Sequence, residues 1–158
     1  MRKTFIEELS KLAELDPTIT LLVGDVGFSY IEDFQTKFPK QFINCGVTEQ
    51  SMVGIAAGMA LSGLKPYVYS MIPFVLMRPY EQVRNDVCYN NANVKLIGVR
   101  GSVHYKFLGF SHNIIDNEDA DLLRNLPNIV QYYPKSEEET ALMVRSMYSS
   151  DNPAYIRL

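Results

Sequence analysis

The chain has 158 residues, 47% of them apolar and 21% charged, with a formal net charge of −3. That is one domain's worth of ordinary globular composition, enough to bury a core, and without the basic field that a nucleic-acid partner requires. No apolar run approaches the roughly 18 residues that span a bilayer, and the start, Met1-Arg2-Lys3-Thr4-Phe5-Ile6-Glu7-Glu8, lacks a secretory h-region. A cytoplasmic protein is therefore expected, with Cys45 and Cys88 as two reduced thiols lacking metal-ligand spacing.

Phe5, Ile6, Leu9, Leu12 and Ala13 recur at helical spacing until Asp16-Pro17 breaks the chain. Ile19 to Val23 is a continuous apolar run suited to a strand buried on both faces. A short helix through Tyr30, Phe34 and Phe38 ends at Pro39, and Gln41 to Cys45 follows as a second strand. Thr48 to Ser62, rich in Ala, Met and Gly, reads as a tightly packed helix, and Pro66 to Ser70 as a third strand. Pro73 to Tyr89 contains a long helical stretch expected to start near Pro79, since proline suits a first turn. Val94 to Val99 is a strand. Arg100 to Asn117 reads as a loop, Glu118 to Asn125 as a short helix and Ile129 to Tyr133 as a strand. Ser136 and Glu139 form a capping-box pattern for a helix to about Ser149, and Ala154 to Arg157 is a last strand. Six strands alternating with helices predict an α/β three-layer sandwich: a mainly parallel six-stranded sheet with helices on both faces, in a single domain over residues 1–158. Ligands of such sheets bind at the carboxyl ends of the strands, which directs attention to the loops after Val23, Cys45, Ser70 and Val99.

In the loop after Cys45, Glu49 falls in the first turn of a helix. An acid there complements the helix dipole with no further role. The nearly uncharged segment Ser51 to Ala60 argues instead for a partly desolvated carboxyl with a raised pKa, suited to sharing a proton. Gly54 and Gly58 read as close-packing positions. Phe74, just past a strand end, is either a core side chain or an aromatic face for a flat ring. Arg78 and Arg84 pair with Glu81 or bind an anion, and Glu81 with Arg84 at i, i+3 is the simpler surface ion pair. His112, in Gly109-Phe110-Ser111-His112-Asn113, is a candidate for proton transfer or substrate contact, with His104 in the same loop. No zinc-like spacing, phosphate-binding loop or dinucleotide fingerprint occurs, and Gly24-Asp25-Val26-Gly27 is too common a pattern to carry weight by itself.

Taken in order, these segments resemble the pyrimidine-binding domain of the transketolase family. Asn44 to Ala60 looks like its N-x-G-[IV]-x-E-Q-x-M-x-G-I-A-A-G-x-A signature. Phe74 with Arg78-Pro79-Tyr80-Glu81-Gln82-Val83-Arg84-Asn85-Asp86, then Leu108 to His112, Glu118-Asp119, Arg124 to Asn128 and Pro153 to Leu158, continue the likeness. The resemblance implies thiamine diphosphate as cofactor. Glu49 would bond N1′ of the aminopyrimidine and promote the proton shift that activates the thiazolium carbon. Phe74 would stack on the pyrimidine, Arg78 and Asp25 would line the cofactor site, and His112 would stand near the sugar substrate. The loop Arg100 to Phe107 is poorer in glycine than the family's, and the stretch from His112 to Glu118 is about two residues longer, so substrate identity is left open.

The Gly-Asp-Gly motif through which family members hold Mg²⁺ and the diphosphate does not occur in this sequence. The resemblance therefore implies either a partner chain carrying Mg²⁺, in a homodimer or heterotetramer acting on a ketose and aldose or a 2-oxoacid, or that this chain is an excised fragment without the family's diphosphate-binding and C-terminal domains. The start of the chain favours a short gene product or the N-terminal piece of a split subunit. A β-type subunit of a 2-oxoacid dehydrogenase or decarboxylase is the alternative within the enzymes, and a non-catalytic regulatory or scaffold relative the alternative outside them. The apolar stretches Met52 to Met59 and Met71 to Leu76 are expected to form an interface.

Overall fold

The computed structural model describes residues 1–101 and 103–158, and the side chains of all of these except 103–106, so the side chain of His104 lies outside the described set. The apolar run Ile19–Val23 forms strand β1, buried along its whole length. Around it assemble β2 (Phe42–Asn44), β3 (Lys65–Met71), β4 (Lys95–Val99), β5 (Val130–Tyr132) and β6 (Ala154–Arg157) in the spatial order β2-β1-β3-β4-β6-β5. Every pairing is parallel.

Two-residue alternation along these strands divides the core into two layers. Leu21, Val23, Tyr67, Tyr69, Ile97 and Ile156 face one side. There they meet Phe5 and Leu9 of α1 (Arg2–Leu15), Phe34 of α2 (Glu32–Lys37), and Val144 and Met147 of α6 (Glu137–Tyr148). Leu22, Val68, Leu96 and Tyr155 face the other, against Met52, Val53 and Ala56 of α3 (Glu49–Leu61), the helical segment from Pro73 to Tyr89, and Leu123 of α5 (Glu118–Leu123). The capping pattern at α6 is realised: Ser136 Oγ accepts from the Glu139 amide at 3.1 Å, and Glu139 reaches back to the Lys135 amide at 2.7 Å.

Four local features depart from expectation. The helix expected to start near Pro79 begins at Pro73, and α4 (Tyr80–Gln82) is only its middle. Pro79 has no N–H to donate, and the chain just before it winds wide, with the Arg78 amide bonded to the Pro73 carbonyl five residues back at 3.0 Å. The segment read as a loop is wound over Val103–His112 into 3₁₀ turns broken at Gly109, φ 55°. The apolar stretches expected at an interface are mostly consumed by the chain's own core: Met52, Val53, Ala56, Met71, Ile72, Val75 and Leu76 are all buried, leaving Ile55 and Leu61 outside on α3. Nor does Gly58 pack closely within the chain, since a Cβ there would meet nothing within 4 Å.

Gly98 in β4 is a true close approach. A Cβ at this position would stand 2.7 Å from both the ring and the hydroxyl of Tyr155, itself fixed by a 2.7 Å hydrogen bond to Asp119. Gly98→Ala is expected to cost about 1–3 kcal/mol of stability, read as a lowered Tm in thermal denaturation.

Candidate functional site

The strand order reverses between β1 and β3: the chain leaves β1 toward β2 and leaves β3 toward β4, opening a crevice where the two connections diverge. Gly24 terminates β1 at this point. A Cβ on it would meet Ser70 Oγ at 3.3 Å, Met52 Cε at 3.4 Å and Glu49 Cγ at 3.6 Å, so its lack of a side chain lets the start of α3 close on the sheet. Asp25 follows with φ 54°, a left-handed conformation that aspartate tolerates better than most residues. Its exposed carboxylate accepts from Asn44 Nδ2 at 3.3 Å.

The turn from β2 into α3 is tied locally. Asn44 Oδ1 accepts from the Gly46 amide at 2.9 Å, and Thr48 Oγ1 donates to the Cys45 carbonyl at 2.7 Å. This sets Glu49 at the first position of α3 with only 1% of its surface exposed. One carboxylate oxygen, Oε2, accepts from Arg78 Nη1 at 2.7 Å. The other, Oε1, is buried and has no hydrogen-bond partner among the described residues. A lone buried acceptor is costly, so this oxygen is the least satisfied feature of the crevice.

The wide turn that carries Phe74 and Arg78 brings both side chains to the same wall. The guanidinium carbon of Arg78 lies 4.2 Å from the centre of the Phe74 ring, and the His112 ring meets Phe74 edge-on at 4.9 Å between centroids. His112 Nδ1 is 2.7 Å from Ser111 Oγ. Asp25, Glu49, Phe74, Arg78 and His112 line one cavity of about 340 Å³, floored by Gly24. The five residues singled out from the sequence are thus neighbours in space. The expected pairings of Glu81 are corrected: it accepts from Gln82 and Asn85, Arg84 donates to Asn85, and Arg78 turns to Glu49. Cys45, within the turn from β2 into α3, is half-buried, and desolvation pushes its thiol above the ordinary value.

Sequence reasoning passed over Gly24 and Ser70. Ser70 Oγ is buried without a partner among the described residues, close to Gly24. A glycine immediately after a fully buried strand was the available signal for both.

A parallel α/β sheet with a cavity at its reversal point, walled by an aromatic ring and a buried carboxyl, defines a ligand-binding domain of the strand-tip class. The family model for the transketolase pyrimidine-binding domain matches residues 1–158, and the chain belongs to that family. It is 36% identical over 158 residues to one subunit of the apulose-4-phosphate transketolase of Phocaeicola vulgatus, covering 99% of this chain and 50% of that one. It is 31% identical over 159 residues to the 6-deoxy-6-sulfo-D-fructose transketolase subunit SqwH of Clostridium sp., covering 100% and 49%. A solved structure described as a split-gene transketolase, an inactive β4 tetramer, superposes with a TM-score of 0.87 at 33% identity, covering 99% of this chain and 50% of that one. The chain therefore spans about half the length of the relatives it matches.

Proposed function

We propose that this chain supplies the pyrimidine-binding half of the active site of a ketol-transferring, thiamine-diphosphate-dependent enzyme, completed by a second polypeptide that binds Mg²⁺ and the diphosphate. The observation that carries the reading is Glu49 Oε1: a buried acceptor without a partner among the described residues, on a residue that lines a cavity of about 340 Å³ together with an aromatic ring. A flat heteroaromatic ring whose basic nitrogen shares a proton with the carboxyl fits both features. This reading assigns the diphosphate and its metal to the second polypeptide, because the Gly-Asp-Gly motif does not occur in this sequence. The names of the relatives support a partner, because two are subunits of transketolases and the solved one is an inactive assembly of one subunit type.

When bound, thiamine diphosphate supplies the nucleophilic carbon that carries a two-carbon unit from a ketose donor to an acceptor. The chain's own residues do the rest. Glu49 Oε1 holds a proton against the ring nitrogen, and burial keeps water from competing for it. Phe74 offers its face to the ring and fixes its plane. Gly24 keeps the floor bare. His112 and Asp25, at the mouth, present a donor or acceptor and a carboxylate to the hydroxyls of a sugar-like substrate.

Phe74→Ala is expected to weaken thiamine diphosphate binding to the assembled enzyme about tenfold, the low end of ring stacking with its lost contact area. Because Phe74 is only half-buried, the same change should move the Tm by little. Calorimetric titration alongside thermal melting checks both. A large drop in Tm with unchanged affinity would make Phe74 a core residue and remove it from the site.

A further inference from the structure

We infer that Arg78 is a placeholder for the cofactor ring, holding the space between Glu49 and Phe74 that the ring must take; this rests on the functional reading above. A single guanidinium makes both contacts: it bonds Glu49 Oε2 at 2.7 Å and lies over Phe74 at 4.2 Å. The face of Phe74 it covers is therefore the one turned toward Glu49. A ring that bonds the carboxyl and stacks on that face needs the volume of the guanidinium.

The geometry also provides the exit. The Arg78 side chain is 42% exposed whereas Glu49 is 1% exposed. The arginine can swing to water by rotating its own side chain, with the core undisturbed, while the carboxyl stays where α3 begins. Before the ring arrives, the cation neutralises a buried carboxylate that would otherwise stand alone, and it keeps Phe74 from collapsing into the cavity. The ring then takes Oε1 and the face of Phe74, and the departing guanidinium gives up its cation–π contact and, with it, its charge-assisted bond to Oε2. Arg78 thus preserves the site and opposes its occupation.

The test is calorimetric titration of Mg²⁺ and thiamine diphosphate into the complex of this chain with its diphosphate-binding subunit, for the wild type, Arg78→Met and Arg78→Lys. Removing one charge-assisted hydrogen bond from the competition should tighten binding about tenfold in Arg78→Met. Arg78→Lys, which keeps the charge but not the flat fork, should fall between. Equal or weaker binding by Arg78→Met overturns the inference and leaves the functional reading standing. No binding by the wild-type complex overturns the functional reading and the inference with it. A crystal structure of the cofactor-loaded wild-type complex decides independently of any stability change in the variants. The guanidinium should have left Phe74, and finding it still stacked there, with the ring elsewhere, refutes the placeholder role.

Discussion

Replacing Glu49 by Ala in the assembled enzyme is expected to lower kcat by about 10²–10⁴-fold, the range attached to a positioned acid–base group. The loss should appear with little change in folding. Glu49 is buried, but its one partner among the described residues, Arg78, has a 42% exposed side chain and can turn to solvent once the carboxyl is gone, so no charge is stranded in the core. Glu49→Gln is the sharper variant. It keeps the volume and an oxygen that can accept from Arg78, and it removes only the capacity to carry a proton. If its kcat falls nearly as far as that of Glu49→Ala, proton exchange is the function. If it turns over at the wild-type rate, Glu49 is a spacer and the proposed mechanism fails. Steady-state kinetics at saturating thiamine diphosphate, with a Tm for each variant, make the comparison. The same pair excludes a non-catalytic scaffold, for which neither change would alter any rate.

What was legible in the sequence follows from which interactions are local. Strand β1 could be placed because a strand covered on both faces is apolar at every position, and the start of α6 because a capping box is written in four consecutive residues. Glu49, Phe74 and His112 could be nominated because each follows a strand on the ligand-bearing edge. Their mutual contacts could not be. Arg78 has a sequence neighbour, Glu81, at the right spacing for an ordinary pair, and nothing in the one-dimensional pattern reveals that the turn before Pro79 winds wide and swings it to a carboxyl 29 residues away. Gly24 stayed unread because its role depends on α3 arriving against it from across the crevice. Lys95 is the strongest case. A lysine opening a strand reads as solvent-facing, yet it is buried, its Nζ donating to the Ser150 and Asn152 carbonyls at 2.8 and 2.6 Å, and desolvation pushes its pKa down to about 8. The partners are loop carbonyls 55 and 57 residues on, which no local periodicity encodes.

The largest effect on folding is expected at Asp119. Its side chain, in α5, is fully buried, and it gathers two partners from β6. Tyr155 donates its hydroxyl to Oδ2 at 2.7 Å and Arg157 donates Nη1 to Oδ1 at 2.9 Å. The Arg157 guanidinium also lies 4.5 Å over the Tyr133 ring and bonds Asn117 at 3.1 Å. Asp119→Ala leaves an arginine whose side chain is only 17% exposed without its counter-charge, and a buried hydroxyl without its acceptor. Breaking one side of such a pair costs about 3–5 kcal/mol, which for a domain of this size lowers Tm by roughly 10 °C. Asp119→Asn retains an acceptor for one partner and removes the charge, so its loss should be smaller. The consequence reaches the site through connectivity. The chain that carries His112 is held between the end of β4 and α5, and the Arg157–Asn117 bond clamps the residue just before that helix. Without Asp119 to fix the guanidinium, Arg157 holds Asn117 less firmly, which should loosen His112 while leaving Glu49 and Phe74, which hang from α3 and the end of β3, in place. In folded Asp119→Ala protein assembled with the proposed partner, cofactor affinity should therefore hold near wild type while KM for the proposed sugar-like substrate rises; an affinity loss as large as the KM change would mean that the two walls of the cavity are mechanically one.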